Sequence, residues 1–364
     1  MKFHPTRRAC RRTWLALLFF TPLLLQAAPF TPDVRPGPGV TQQGMLSDYF
    51  PPLRGGPMDT AVFILDSGVP GATGLMIGGT HGNELAGQVA ALLAVENAVV
   101  KTGKLVVVPY ANRSAISVAD TRKGIARRHA ITSRSGPREL PYGDRRTDPA
   151  DQGVDDPEKY TNPPGYTLEE GAESRNLNRT WPGNPQGTPT EQLSHALVRM
   201  ILAEEVDFAL DMHEADTPEK KSPGEAAYRP GGNKRLAYTL VAHPRGLEVA
   251  AFALLGMEAD TGISMKLEES NSRYRGLSHL EIGDNTDCLS FLSESPNPGQ
   301  DRWRDEADVV SDSKYPLSHR AGLHLRLFLQ LAEAFADLNG EALVIEGLPG
   351  YDELKADGIG KWLN

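Results

Sequence analysis

The run Gly78-Gly79-Thr80-His81-Gly82-Asn83-Glu84 lies between an apolar segment and an alanine-rich one, and it constrains this chain more than any other feature. Its glycines let the backbone turn sharply and approach a bound ion closely. His81 and Glu84, three residues apart at a helix start, converge on one side of that turn. An imidazole and a carboxylate are both zinc ligands, and a catalytic zinc needs a third protein ligand and one open position. The flanks predict strands at residues 61–65 and 75–77, a helix over 84–95, and a strand at 105–108 that stops at Pro109. Strand, turn, helix and strand in that order fit an α/β sheet with crossover helices.

Further along, residues 111–192 carry many charges, prolines and glycines with little apolar periodicity, as expected of chain that covers a site or wraps a surface. A helix is predicted over 193–204, a strand over 206–212 that ends at His213, then a polar loop to about residue 234. Residues 246–259 read as a helix and 288–294 as a strand. Over 316–338 the residues Leu323, Leu327, Leu331 and Phe335 recur every four positions, so this helix is expected to cover the sheet. The 364 residues can bury a large core. The expected organisation is a signal segment at 1–28, an extended Pro/Gly-rich lead-in at 29–58, a catalytic domain at 59–345 and a tail at 346–364.

The N-terminal segment is basic at Lys2, Arg7, Arg8, Arg11 and Arg12. An apolar stretch over 14–25 and Gln26-Ala27-Ala28-Pro29 follow. That pattern describes a secretory signal, and the apolar stretch is too short to span a membrane comfortably. Export to the periplasm or medium, with no stable membrane insertion after cleavage, is the expectation. The segment holds five basic and no acidic residues. Of the chain's 38 Lys and Arg and 47 Asp and Glu, the remainder therefore keeps an acidic excess of 14. Such a surface is a poor partner for nucleic acid or an anionic membrane. Cys10 lies in the presumed signal, leaving Cys288 with no internal disulfide partner and, amid apolar neighbours, as a buried bystander.

His213 is the natural third ligand, because it closes a mostly apolar strand and reactive groups cluster at the carboxyl ends of strands in open α/β sheets. Taken alone it would be a satisfied strand-end histidine. A hydrolytic zinc site also needs a base, a cation for the oxyanion and a substrate anchor. Glu294, at the end of the apolar strand around Phe291 and Leu292, is the candidate base, since a buried carboxylate there calls for a cation or metal. Arg179 offers a planar fork for a carboxylate and Asn178 an added donor, in a turn stiffened by Trp181-Pro182-Gly183. The residues themselves leave the second cation open among Arg113, Arg122, Arg134, Arg138, Arg145 and Arg146.

Four segments together resemble the succinylglutamate desuccinylase/aspartoacylase branch of the zinc carboxypeptidase superfamily. They are residues 78–84, Asn176-Leu177-Asn178-Arg179-Thr180-Trp181-Pro182-Gly183, Asp211-Met212-His213-Glu214 and Leu292-Ser293-Glu294. The resemblance implies an α/β fold with a mixed, mostly parallel central sheet flanked by helices. It implies one zinc ion on His81, Glu84 and His213, Glu294 as the base that activates water, and Asn178 with Arg179 on the substrate carboxylate. It also implies an oxyanion arginine, for which Arg145 is chosen, and a tyrosine for which Tyr228 and Tyr274 are candidates. Only residues 295–364 follow Glu294, less than the β-rich domain that narrows the pocket in some members, so a more open site acting on peptides is also compatible.

The expectation is a zinc metallohydrolase, a carboxypeptidase or N-acyl amino acid deacylase, acting on a small acylated amino acid or peptide. An esterase using the same centre, or a non-catalytic exported metal- or ligand-binding protein, are the alternatives. Oligomeric state is not legible.

Overall fold

A computed structural model describes residues 1, 31–118, 125–218, 236–301, 304 and 306–364. The presumed signal segment and Tyr228 lie outside these described residues, apart from Met1. At the centre is an eight-stranded sheet. Its spatial order is Gln42–Met45, Ala61–Asp66, Lys104–Val108, Thr73–Ile77, Phe208–Ala215, Leu289–Pro296, Thr239–Ala242 and Lys266–Glu269. Four neighbouring pairs are parallel, among them Thr73–Ile77 with Phe208–Ala215 and Phe208–Ala215 with Leu289–Pro296. Three are antiparallel, so the sheet is mixed and mostly parallel as expected.

Side chains alternate between the two faces of each strand, and each face has its own core. On one, Phe208, Leu210, Met212 and Phe291 meet the helices Leu85–Asn97, Leu247–Thr261 and Leu317–Asn339. On the other, Leu75, Ile77, Val106 and Ala209 meet the helix Pro189–Ala203 and Ile282 of the helix Ser278–Asn285. The predicted strands and long helices are present with shifted ends. Helix Pro189–Ala203 starts earlier than its apolar periodicity, because Thr188 and Glu191 form a reciprocal cap and Pro189 occupies the first turn.

Two predicted strands are longer than their apolar residues. Phe208–Ala215 carries His213 within it rather than after it, and Leu289–Pro296 runs beyond Glu294. The ladder between them continues through His213↔Glu294, Glu214↔Ser295 and Ala215↔Pro296. Their polar side chains read as loop in sequence, yet the backbone pairing carries on. Strands Thr239–Ala242 and Lys266–Glu269 were not expected, being only four residues each, the second with both ends at the surface.

The irregular region 111–192 contains the hairpin Arg128–Ser133/Gly136–Pro141 and several short helical turns. In the lead-in, Gln42–Met45 is an edge strand of the main sheet. The expected tail holds the helix Tyr351–Asp357, with Leu354 and Leu363 fully buried against the main body. Among the described residues no helix is long and apolar enough to cross a membrane.

Candidate metal centre and substrate site

The glycine turn places His81 at the mouth of strand Thr73–Ile77 and Glu84 at the cap of helix Leu85–Asn97. Gly79 has φ +71°, the left-handed region that glycine adopts without strain. At Gly82 a Cβ would lie 2.4 Å from the Ala115 carbonyl oxygen. That contact lets a second loop close on the turn: the Gly82 N–H donates to Asp144 O at 2.7 Å, and Gly143 N–H donates to Gly82 O at 2.9 Å. Arg145 follows directly.

His81, Glu84 and His213 are each buried, and one ligand atom from each falls within 4.8 Å of the others. His81 Nδ1 is 2.7 Å from Glu84 Oε1, His213 Nδ1 is 2.8 Å from Glu84 Oε2, and the two Nδ1 atoms are 3.2 Å apart. Bonds of about 2.0–2.1 Å in a tetrahedral zinc centre place neighbouring ligand atoms roughly 3.3–3.4 Å apart. The separation of the two nitrogens is of that size, whereas both nitrogen–carboxylate contacts are shorter, at hydrogen-bond length. Glu84 Oε2 and Glu294 Oε2 are moreover buried without a well-formed hydrogen bond. A cation satisfies such an assembly of acceptors, and the residues present fit one.

The outer nitrogens of both histidines are held. His81 Nε2 lies 2.9 Å from Asn176 Oδ1, and His213 Nε2 lies 2.9 Å from Asp211 Oδ2. A carbonyl or carboxylate oxygen there favours the proton on Nε2 and turns the Nδ1 lone pair to the centre. Asp211 also accepts from Thr80 Oγ1 at 2.8 Å and from Ser278 Oγ at 2.6 Å. Asp211, Asn176 and Ser278 were not singled out from the sequence. Asp211 stands two residues before His213, so strand alternation was the signal that could have found it.

Without a cation the electrostatics are lopsided. Burial, with Arg145 nearby, lowers the pKa of His81 to about 4. Burial works against a charge on His213, but Asp211 and Glu84 outweigh it and raise its pKa. For Glu84, burial is outweighed by the two imidazoles and the pKa falls. Burial and the neighbouring Glu84 charge push Glu294 up to about 8. Glu294 is the direct parallel neighbour of His213, on the same sheet face, and its side chain remains partly open to solvent while Oε2 is covered.

Arg145 Nη1 is 3.7 Å from Glu84 Oε1. The other arginines considered are engaged elsewhere: Arg138 with buried Glu96, Arg146 with Glu170 and Glu173, and Arg134 with Asn97 and Asn364. Arg113 donates to Asp59 O, and Arg122 lies outside the described residues. Asn178 and Arg179 sit on the turn Leu177–Arg179. Asn178 Oδ1 accepts the Ser278 N–H at 2.8 Å, which leaves its NH2 end as the donor. Arg179 lies 5.3 Å from the Tyr274 ring centre and 3.4 Å (Nε) from Glu173 Oε2. Tyr274 is thus beside Arg179.

Glu214 and Cys288 belong to the framework. Glu214 faces the opposite side of the sheet from His213, in a buried ion pair with Arg320 and accepting from Ala86 N–H at 3.0 Å. Cys288 is buried, and burial raises its thiol pKa.

Residues 159–271 match the family described as the succinylglutamate desuccinylase/aspartoacylase catalytic domain. No curated protein matches the chain. Among solved structures, a succinylglutamate desuccinylase/aspartoacylase from Rhodobacter sphaeroides is similar at 17% identity over 80% of this chain and 61% of its own, with a TM-score of 0.43. The apo cell shape determinant protein Csd4 from Helicobacter pylori is similar at 13% identity over 81% of this chain and 58% of its own, with a TM-score of 0.47. The ectoine utilization protein EutE (DoeB) from Ruegeria pomeroyi is similar at 17% identity over 77% and 61%, with a TM-score of 0.41. This chain therefore spans about three fifths of the length of those proteins. The segment that carries Asn176, Asn178, Arg179 and His213 matches the succinylglutamate desuccinylase/aspartoacylase catalytic-domain family, the one its motifs resemble.

Proposed function

We propose that the protein is a zinc-dependent hydrolase that cleaves an amide bond in a carboxylate-bearing substrate, an N-acyl amino acid or a peptide. The observation that carries this reading is the convergence of His81 Nδ1, His213 Nδ1 and the Glu84 carboxylate beside the unpartnered Oε2 of Glu294. A structural ion needs neither the neighbouring carboxylate nor the arginines that surround this one. The family match over residues 159–271 supports the same class.

His81, Glu84 and His213 would hold the ion. When bound it supplies Lewis acidity, lowering the pKa of a water and polarising a carbonyl oxygen. A divalent charge also reverses the local balance that raises the Glu294 pKa, so this carboxylate is held ionised as a base. Glu294 Oε2 accepts the water proton during attack on the amide carbon and then delivers it to the departing nitrogen. Arg145 offsets the negative charge that develops on the former carbonyl oxygen. Arg179 and the Asn178 NH2 group grip the substrate carboxylate and set the scissile bond in line with Glu294. Export, expected from the N-terminal segment, would place this chemistry outside the cytoplasm.

The test is to prepare metal-free protein, titrate zinc, and assay N-acylated amino acids, C-terminal peptides and matching esters with and without the ion. Zinc-dependent amide hydrolysis that disappears in His213→Ala is the expected result. Stoichiometric zinc binding with no turnover of any of these would sink the hydrolase reading and favour a binding protein. Turnover of esters alone would favour an esterase.

A further inference from the structure

Two parts of the site that stand on one short stretch of chain share a single carboxylate. Glu173 lies in the turn Gly171–Arg175, its side chain only 12% exposed. Its Oε2 accepts from Asn176 Nδ2 at 2.7 Å and lies 3.4 Å from Arg179 Nε. Its Oε1 accepts from Arg146 Nε at 3.1 Å and is also bonded to Arg146 Nη2. Asn176 is fully buried. With its NH2 end tied to Glu173, its Oδ1 is turned to His81 Nε2 at 2.9 Å and also accepts the Asn178 N–H at 3.0 Å. An amide left to itself could present either end to an imidazole. Here the carboxylate removes that choice.

We propose that Glu173 is a positioning residue that fixes the orientation and tautomer of His81 through Asn176 and, with the same carboxylate, aims Arg179 at the anionic end of the substrate. The proposal rests on the hydrolase reading above. The neutral Asn176 bonds the ligand histidine directly, and the negative charge stands one residue further out, balanced by Arg146. His81 is thereby held without adding a second anion beside Glu84. On the other branch, Arg179 keeps its Nε toward Glu173, and its Nη1 donates to Asn178 O at 2.5 Å, which pins the plane of the guanidinium. Removing Glu173 frees the Asn176 amide to rotate and the Arg179 side chain to swing, so zinc affinity and substrate anchoring weaken together.

The test uses the full chain with Zn2+ as the probe, titrated into metal-free protein against a chelator, and steady-state kinetics on an N-acyl amino acid and on its carboxamide analogue. In Glu173→Ala, zinc affinity falls about 10–100-fold, as for loss of a partner that orients a ligand. The KM for the carboxylate substrate rises, while the carboxamide analogue shows no added KM penalty. Glu173→Gln keeps the volume but has one acceptor oxygen for two sets of donors, so it shows a smaller loss of the same sign. If the alanine variant does not fold, the glutamine variant carries the test. Glu170→Ala removes a more exposed carboxylate that pairs with Arg146, and leaves zinc affinity at the wild-type value. A folded Glu173 variant with wild-type zinc affinity and wild-type KM overturns the proposal while leaving the hydrolase reading intact. A loss of thermal stability in the metal-free protein without a change in zinc affinity also overturns it. Wild-type protein that binds no zinc overturns both.

Discussion

Glu294 stands directly beside His213 across a parallel strand pair, and both side chains rise from the same face of the sheet. A candidate base and a candidate metal ligand are therefore set by one ladder register. A slip of one residue would turn Glu294 to the opposite face, where Ser293 meets His324. The distance between them is thus held by backbone hydrogen bonds rather than by a loop.

Replacing Glu294 with Gln keeps its shape and removes the base. Turnover should fall by about 10²–10⁴-fold, the usual contribution of general acid–base catalysis. Zinc stoichiometry should stay at the wild-type level, because Glu294 is not among the three converging ligands. Measured turnover near wild type would remove Glu294 from the mechanism.

Asp211 holds the outer nitrogen of His213 and is itself held by Thr80 and Ser278. Asp211→Asn should lower zinc affinity by about 10–100-fold with little change in the substrate KM. Competition against a chelator gives the affinity. An unchanged value would show that the contact does not orient the ligand.

Arg179→Lys keeps a charge but loses the fork. Hydrogen bonds to a charged group are worth about 1.5–3 kcal/mol, so KM for a carboxylate substrate should rise by roughly 10–100-fold with a smaller effect on kcat. Equal losses for carboxylate and carboxamide substrates would contradict the anchoring role.

The ion pair between Glu214 and Arg320 is fully buried on the helix-covered face. Arg320→Met leaves Glu214 without its cation and should destabilise the fold by about 3–5 kcal/mol in urea unfolding. The double variant Glu214→Gln/Arg320→Met should recover part of that loss. No recovery would mean that packing of the arginine stem, rather than the orphaned charge, sets the cost.

Burial lowers the pKa of His319 to about 4 and of His324 to about 3. The unfolded chain, with histidine near 6.5, takes up these protons first, so stability rises with pH through this range. The contribution is complete above about pH 6.5 and is lost as the pH falls toward about 4 for His319 and about 3 for His324. Unfolding free energies measured from pH 7 to pH 4 should decline, and His324→Gln should flatten the slope. A slope unchanged in that variant would count against the assignment.

The glycine turn, the apolar periodicities and the four ordered motifs were legible in the sequence because each is local. A ligand pair three residues apart, a helix with leucine every fourth position and a short apolar strand need no knowledge of distant chain. The sequence therefore determined the α/β class, the candidate triad of His81, Glu84 and His213, and the candidates Glu294, Asn178 and Arg179. Tertiary structure decided what surrounds them. Arg145 stands near Glu84 only because Gly82 and Gly143 bring two backbones together, whereas the other arginines considered that can be described are drawn to other partners. Ser278, Asn176 and Glu173 meet the site through contacts that, for Ser278 to Asp211, span 67 positions and, for Asn176 to His81, 95 positions. Polar residues of this kind carry no periodic signal, since their role depends on which lone pair or proton faces them across the fold. Hydrophobic patterning chooses the scaffold, and only the folded geometry decides which buried polar atoms find one another.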